Sequence, residues 1–395
     1  MINATKMQQE TPDRTAEHEL LLCCAAAGND DAARAQFARL SQHVADWDYL
    51  LTTAELHGML PLLRKRLEDI GAMRPDLLRA TLRNAGHNLA LTGELLGIIS
   101  VLEKAGIECV PFKGPALADQ VFGSVAMRQF CDIDILVQPK DVKAAKQLLL
   151  SRGYLAEFTL TPEREAEYIR AEHAFQFRKN EFVVELHWSF GSKDQSFPLA
   201  AADVWPRLVN RTLQGRSIRA LSTEDLFLYL CMHGAKHAWE RLEWICSLAE
   251  IAGKKDAVNW ARMTALARRT GALRGLHLGL LLAQDVCAVP LPTAVAADAI
   301  RDREAHRLAE QARDQLFSTR PAHTAREFMR HRYLLKSRER LTDRARIIFF
   351  SCSRIPHPLA RDWDLFRLPA SLSFLYYLLR PIRLFRDYGL RLLQG

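Results

Sequence analysis

The sequence predicts an α+β protein with an α/β-like core, in which a small mixed sheet is flanked by two helical regions. Short apolar runs of strand length occur only in the middle of the chain, between residues 108 and 188. Apolar residues at helical spacing dominate on both sides. We therefore divide the chain into a disordered N-terminus at 1–16, a helical region at 17–90, an α/β core at 91–198 and a C-terminal helical domain at 199–395.

A long helix leads into the predicted core. Leucines and isoleucines form a stripe from about 77 to 105, and Gly106 supplies a C-terminal stop. The first strand is expected at 108–112 and the second at 132–137. A further helix at 142–152 follows the second strand.

Two alternating runs complete the predicted sheet. Residues 174–179 and 182–188 are joined by Asn180 and Glu181, which is typical of a β-hairpin. Strand signals fade beyond Ser189, and we expect helices only from there to residue 395.

A pair of carboxylates, Asp132 and Asp134, begins the second strand. Alternate side chains of a strand share a face, so both carboxylates point the same way while Ile133 and Ile135 point into a core. Two like charges beside a core repel each other and are costly to desolvate unless a cation neutralises them. The alternative is that both aspartates lie in a solvated turn at the start of the strand and bind nothing. We favour a divalent cation, and oxygen ligands at this spacing suit Mg²⁺ or Mn²⁺.

The turn Lys113-Gly114-Pro115 precedes the carboxylate pair. It follows the first strand and opens a predicted helix, so free backbone N–H groups and the helix dipole would converge there on an anion. Lys113 and Arg128 flank the turn and the carboxylates, and both are candidates to bind phosphate. A plain surface location is the alternative for each cation.

Glu185 and His187 share one face of the last strand. An acidic side chain within Val-Val-Glu-Leu-His-Trp is poorly explained as surface decoration on a central strand, although an edge strand would accept it. We take Glu185 as a candidate third carboxylate. His187 is a candidate for the same site, or a hydrogen-bonded neighbour that orients the carboxylate.

These motifs, KG…R…DIDILV followed by VELHW at 184–188, resemble the nucleotidyltransferase superfamily typified by DNA polymerase beta, and most closely its bacterial stand-alone branch. Gly114 precedes Asp132 by eighteen residues, a longer gap than is usual in that superfamily. The resemblance implies a Mg²⁺-dependent (or Mn²⁺-dependent) transfer of an NMP group from an NTP to a hydroxyl of an unidentified acceptor, a small molecule, sugar or protein.

The resemblance also implies roles for individual residues. Asp132, Asp134 and Glu185 would hold the metal, and Glu185 would accept the proton of the attacking hydroxyl. Lys113, Gly114, Arg128 and His187 would contact the nucleotide.

A histidine-rich segment, His-Gly-Ala-Lys-His-Ala-Trp, begins at His233 in the C-terminal half. His233 and His237 are four residues apart, which is metal-ligand spacing, but no glutamate follows His233 as metalloprotease chemistry would require. This helix face would line a cleft or be an ordinary packed surface, and its role stays open.

The composition and the cysteine spacing indicate the cellular compartment. The sequence has no uninterrupted apolar run of transmembrane length and no apolar leader, and its eight cysteines include no CxxC pair. We expect a cytoplasmic protein with reduced cysteines.

The basic charge lies at the end of the chain. Residues 301–395 hold 20 Lys and Arg against 10 Asp and Glu, so the first 300 residues carry about −2 of the net +8. Nucleic acid is not an expected partner, because no binding motif for it is present. The alternative to an enzyme is a weakly active or inactive accessory protein that docks through this tail on a partner or an anionic membrane surface.

Overall fold

The computed structural model describes residues 15–26, 31–254, 257–318, 323–354, 362–363, 365, 368 and 370–384. The disorder expected at 1–16 falls almost entirely outside these residues, since the first helix begins at Ala16. Mixed helix and sheet confirm the predicted α+β class.

A five-stranded sheet forms the core of the site-bearing region. Its spatial order is β1-β2-β5-β4-β3, with β2 and β5 parallel and the other neighbours antiparallel. The strands are β1 (Cys109–Pro111), β2 (Ile133–Val137), β3 (Leu155–Ala156), β4 (Ala174–Lys179) and β5 (Phe182–His187). The four longer runs predicted from sequence are therefore all confirmed, and β2 and β5 occupy the middle of the sheet.

The described helices surround this sheet and extend beyond it. Those of the first half are α1 (Ala16–Ala25), α2 (Asp31–Ser41), α3 (Trp47–Leu56), α4 (Leu60–Asp69), α5 (Pro75–Lys104), α6 (Gly114–Phe122), α7 (Val142–Ser151), α8 (Pro162–Ala171) and α9 (Ala201–Val204). Those of the second half are α10 (Thr223–Lys236), α11 (Leu242–Gly253), α12 (Trp260–Thr270), α13 (Leu273–Cys287), α14 (Thr293–Arg301), α15 (Arg303–Gln315), α16 (His323–Lys336), α17 (Leu341–Arg354) and α18 (Tyr376–Leu384).

Helix α5 packs along the sheet. Its residues Leu91, Leu95, Ile98 and Ile99 are buried in one cluster with the apolar side chains of the strands. Of the described helices, only α5 is long and apolar enough to cross a membrane, judged by length and composition alone. Packing on the sheet accounts for its apolar stripe without a membrane.

A second hairpin corrects the expectation that only helices follow Ser189. Strands β6 (Val209–Leu213) and β7 (Arg216–Ala220) pair antiparallel as a separate two-stranded sheet. Leu213 and Ile218 are buried and join the apolar cluster of the main sheet. Polar residues occupy most of the other positions of this hairpin, so its alternation of apolar and polar residues is weak.

The N-terminal and C-terminal helices share one hydrophobic core. Buried residues of α1, such as Leu20 and Leu21, lie in the same cluster as those of α10 and α13. The division at 17–90, 91–198 and 199–395 stays a prediction. Among the described residues, apolar contacts join the first helices to those of the second half of the chain.

The end of α10 is shaped by a close approach of Trp239. A Cβ on Gly234 would lie 2.6 Å from atoms of the Trp239 ring, so glycine is required for this packing. Trp239 is fully buried, and Ala238 and Trp239 both adopt positive φ angles. Helix α10 continues through Gly234 to Lys236, and the chain then turns tightly into α11.

Glu240, in that turn, fixes helix α16 over the end of α10. Its carboxylate accepts hydrogen bonds from Arg326 Nη2 at 2.6 Å and Arg330 Nη2 at 2.7 Å. Burial alone would raise the pKa of Glu240, but the hydrogen bonds and charges of the two arginines lower it to about 2.

We expect Glu240→Gln to lower the free energy of unfolding by about 2 kcal/mol at neutral pH, because charged hydrogen bonds are lost. The folded-state pKa lies below the unfolded value of 4.5, so this contribution is complete above pH 4.5 and disappears as the pH falls through about 2. Urea unfolding from pH 7 to 2.5 measures the difference. Glu310→Gln, at an exposed position, is the control, and a pH-independent difference would contradict the assignment.

Candidate active site

The parallel pairing of β2 with β5 brings the predicted carboxylates together. In the register of these strands Asp134 lies opposite Glu185, and Leu136 lies opposite His187. Because alternate residues share a face, Asp134, Glu185 and His187 all project from the same side of the sheet. Residues about fifty positions apart in sequence thus form one cluster.

Asp134 is the centre of this cluster. Its Oδ1 atom accepts a hydrogen bond from Lys113 Nζ at 2.6 Å and lies 3.0 Å from His187 Nε2. The same Nε2 atom lies 3.1 Å from Glu185 Oε2, so the imidazole bridges the two carboxylates. The Asp134 side chain is fully buried, whereas that of Glu185 is 32% exposed. Glu185 is therefore the carboxylate of this pair that an incoming molecule can reach.

The charges in the cluster stabilise one another. Burial would raise the pKa of Asp134, but the ammonium of Lys113 and the hydrogen bond from His187 hold it well below its usual range. The hydrogen bond from His187 likewise lowers the pKa of Glu185. Burial would lower the pKa of Lys113 and of His187, yet their carboxylate partners raise both values. Both carboxylates are ionised at neutral pH.

Asp132 differs from the other two carboxylates. It is half-buried and lies just before β2, two residues ahead of Asp134 on the same face. Burial and the negative charge of Asp134 raise the pKa of Asp132 to about 6. Its side chain belongs to the edge of the cluster, where it adds negative charge without joining the hydrogen bonds around Asp134.

The donor set fits a divalent cation. One atom each from Asp134, Glu185 and His187 lies within 4.8 Å of the others, and this is a group that could hold a metal ion. The second oxygen of Asp134, Oδ2, is buried without a hydrogen-bond partner among the described residues. Since buried carboxylate oxygens are rarely left unsatisfied, the orphaned oxygen indicates where a cation would bind. The two carboxylates suit Mg²⁺ or Mn²⁺, whereas an imidazole ligand is more typical of transition metals.

The turn predicted to bind an anion lies against the carboxylate strand. Gly114 has a φ angle of +50°, and a Cβ there would lie 2.9 Å from the backbone oxygen of Asp132. Only glycine fits this approach without strain. Lys113 caps helix α6, and Pro115 follows in its first turn, so the free N–H groups of α6 start beside the cluster.

Arg128 pairs with a carboxylate outside the cluster. Its guanidinium donates to Glu243 of α11 at 3.1 Å, and both side chains are almost completely buried. Its backbone oxygen accepts hydrogen bonds from the amides of Asn84 and Asn88 on α5. Arg128 therefore connects its own loop with helices α5 and α11. A contact between its guanidinium and phosphate stays a prediction.

Tyr229 of α10 is a site residue that the sequence analysis missed. It packs against Phe112 at 5.2 Å between ring centroids, next to Lys113. Burial raises the pKa of Tyr229 despite the nearby Lys113 ammonium, so the hydroxyl stays protonated. The spacing of Tyr229 four residues before His233 places both on one helix face, and this signal was available in the sequence.

The histidine-rich segment continues from Tyr229. His233 stacks on Tyr229 at 5.8 Å, and its ring lies 4.8 Å from that of His237. Burial lowers the pKa of His233 well below its usual value and that of His237 to about 3, so both imidazoles are neutral. Within the described chain neither histidine joins a group able to hold a metal. Helix α10 and the residue after it thus present three uncharged rings, those of Tyr229, His233 and His237.

The sheet carries carboxylates on adjacent strands beside a glycine turn at a helix start, which agrees with the resemblance to nucleotidyltransferases seen in the sequence. The sequence model of a family described as "Uncharacterised nucleotidyltransferase" matches residues 43–288. This match covers more than half of the chain, and the protein belongs to that family.

Two solved structures are similar to the chain. The solution structure of the antibiotic-resistance factor ANT(2'')-Ia has 11% identity and a TM-score of 0.29, with 62% of this chain and 99% of that chain covered. An antigenic nucleotidyltransferase-like protein from Paracoccidioides brasiliensis has 13% identity and a TM-score of 0.29, with coverage of 53% and 96%. At these TM-scores the family assignment rests on the family match. No curated protein gives a significant match.

We expect Glu243→Gln to destabilise the protein by about 3 kcal/mol, because it leaves the buried Arg128 guanidinium without a charged partner. Urea unfolding at pH 7 measures the loss. Glu304→Gln removes a carboxylate that pairs with largely exposed Arg307 and should change stability by less than about 1 kcal/mol. Equal stabilities of the two variants would show that the buried pair is not important for the fold.

Proposed function

We propose that this protein transfers an NMP group from an NTP to a hydroxyl of an acceptor molecule. The observation that carries the proposal is the fully buried Asp134, which has one unsatisfied oxygen and lies beside Glu185, His187 and Lys113. A cation bound by these residues would satisfy the buried oxygen of Asp134. Membership of the nucleotidyltransferase family supports a nucleotide as the substrate.

Asp134, Glu185 and His187 would hold the divalent cation, with the half-buried Asp132 at its edge. When bound, Mg²⁺ or Mn²⁺ neutralises triphosphate charge and stabilises the attacking and leaving oxygens. Lys113 and the first N–H groups of α6 bind the phosphates, because both present positive charge next to the carboxylates. The NTP is thereby oriented with its α-phosphorus towards Glu185.

Glu185 is the residue that receives the proton. Its side chain is partly exposed, so an acceptor hydroxyl can approach it, whereas Asp134 is closed off. The hydroxyl oxygen forms a bond to the α-phosphorus, and the bond from the α-phosphorus to the bridging oxygen of the β-phosphate breaks. The electron pair leaves with pyrophosphate, and the hydroxyl proton passes to Glu185.

A second candidate function is docking without turnover. On helix α18, Leu378 and Ile382 are 64% and 65% exposed, whereas Arg380 and Arg383 of the same helix are buried and paired with Asp362. Exposed apolar side chains of this kind favour contact with a partner protein or a membrane surface. Co-sedimentation with anionic vesicles in the absence of any response to nucleotide would support this reading over catalysis.

We expect Asp134→Asn to abolish the thermal stabilisation by Mn²⁺ plus ATP and to lower pyrophosphate release by at least about 100-fold, because the buried carboxylate is the central ligand. Differential scanning fluorimetry across the four NTPs, and pyrophosphate release with candidate acceptors, measure the two effects. Asp31→Asn, whose side chain is fully exposed, is the control. Equal responses of wild type and Asp134→Asn would overturn the proposed function.

We expect Lys113→Met to weaken NTP binding about 10-fold, because a charge-assisted contact to phosphate is lost. Mn²⁺ affinity without nucleotide should not fall, since the substitution removes a cation that pairs with Asp134. Calorimetry measures both constants, with Lys143→Met on the exposed face of α7 as the control. An unchanged NTP affinity would remove Lys113 from the phosphate site.

A further inference from the structure

A separate cavity of about 570 Å³ lies beyond the end of α10. Its walls come from the segment just after Ser192, from the last residues of α10 and from helices α16, α17 and α18. Two carboxylates line it: that of Glu327 is paired with Arg330, and that of Asp194 raises the pKa of Lys236. Its basic and hydrogen-bonding side chains are Gln195, Lys236, His237, Arg330, His331, Ser351 and Arg380. The cavity is large enough for a molecule of sugar size.

Two of the lining side chains have buried polar atoms without partners. Gln195 Oε1 and Ser351 Oγ have no hydrogen-bond partner in the described chain. Lys236 is half-buried and makes no hydrogen bond or ion pair with the described residues, although nearby charges shift its pKa. Buried polar groups are normally hydrogen-bonded, so two orphaned atoms on one cavity indicate a missing ligand.

The other cations of the cavity already have partners. Arg330 is bound by Glu240 at 2.7 Å, and Arg380 donates to Asp362 at 2.6 Å. Arg338 donates to the backbone oxygen of Gln195 at 3.1 Å, which fixes that wall. These contacts make the cavity a preformed space in which Lys236 is the cation that remains available.

Lys236 also interacts with the charges of the carboxylate cluster. Burial lowers its pKa to about 8, the positive charge of Lys113 adds to this effect, and Glu185 and Asp134 oppose it. The rings of Tyr229, His233 and His237 run along α10 from the neighbourhood of Lys113 to the wall of the cavity. Lys236 and these rings thus connect the cavity with the carboxylate cluster.

The orphaned groups define the chemistry of the missing ligand. Lys236 offers a positive charge that an anionic group would neutralise. Gln195 Oε1 can only accept a hydrogen bond, and Ser351 Oγ can accept or donate, so a ligand with hydroxyl groups satisfies both. Neutral His237 adds a further hydrogen-bonding group without charge. A cationic ligand would leave Lys236 repelled and the site unsatisfied.

We propose that this cavity is the acceptor site and that it binds a small polyhydroxylated anion, such as a sugar phosphate or sugar acid, with its anionic group on Lys236. The inference rests on the proposed function, since it names the molecule whose hydroxyl attacks the NTP. That hydroxyl bonds to the α-phosphorus, its proton passes to Glu185, and pyrophosphate leaves.

The test compares four probes of similar size with the full-length protein. Glucose 6-phosphate and glucuronate carry an anionic group, glucose is neutral and glucosamine is cationic. Calorimetry without nucleotide should detect binding of one or both anions only, and a phosphate or a carboxylate preference distinguishes the two ligand sources. Lys236→Met should weaken that binding at least about 10-fold, while Lys236→Arg should retain most of it.

Two further variants separate this site from the phosphate site. Ser351→Leu fills the cavity and should abolish anion binding, yet the thermal response to Mn²⁺ plus ATP should persist. Lys65→Met removes an exposed lysine beside a different cavity and serves as the control. The proposal is overturned if Lys236→Met and Ser351→Leu bind the anion like wild type, or if only Lys113→Met loses it. Loss of the Mn²⁺ and ATP response in Asp134→Asn is a separate readout, so the two proposals fail independently.

Discussion

The fully buried carboxylate of Asp134 is held by the ammonium of Lys113 and by a hydrogen bond with His187. An ionised carboxylate without partners would cost several kcal/mol to bury at this depth, so the position of Lys113 at the end of β1 is a condition for β2 to occupy the middle of the sheet. The turn at Gly114 can approach the backbone of Asp132 because it lacks a Cβ. The turn after β1 thus brings both a close backbone contact with Asp132 and a positive charge to Asp134, and the other site residues surround this contact.

The parallel register of β2 and β5 determines which residues share the site. A shift by one residue would turn Glu185 and His187 to the opposite face of the sheet and bring Val184 and Leu186 to the site. The apolar residues of both strands, buried on the other face among the side chains of α5, prevent such a shift. Packing on one face of the sheet therefore fixes the chemistry on the other.

The sequence predicts the elements of this site because its signals are local. Alternation identifies the β2 and β5 strands, and the glycine turn lies directly after β1. The sequence does not predict the hairpin of β6 and β7, since only Leu213, Ile218 and Ala220 of its ten strand residues are buried. The sequence does not predict the ion pair of Arg128 with Glu243 either, because the two residues are 115 positions apart and no local pattern indicates the contact. Orphaned atoms such as Ser351 Oγ become visible only when the helices are assembled.

The shared core of the two helical ends has a consequence for biosynthesis. Leu20 and Leu21 lie on α1, which packs against α11 and α13, more than two hundred positions later in the chain. During translation the N-terminal helices emerge first, and their apolar faces stay uncovered until those partners leave the ribosome. Contacts so distant in sequence also slow folding, because long loops must close before the contacts form. The face of α1 that packs on α11 and α13 therefore stays exposed until most of the chain has been made, which is a stage at which aggregation competes with folding.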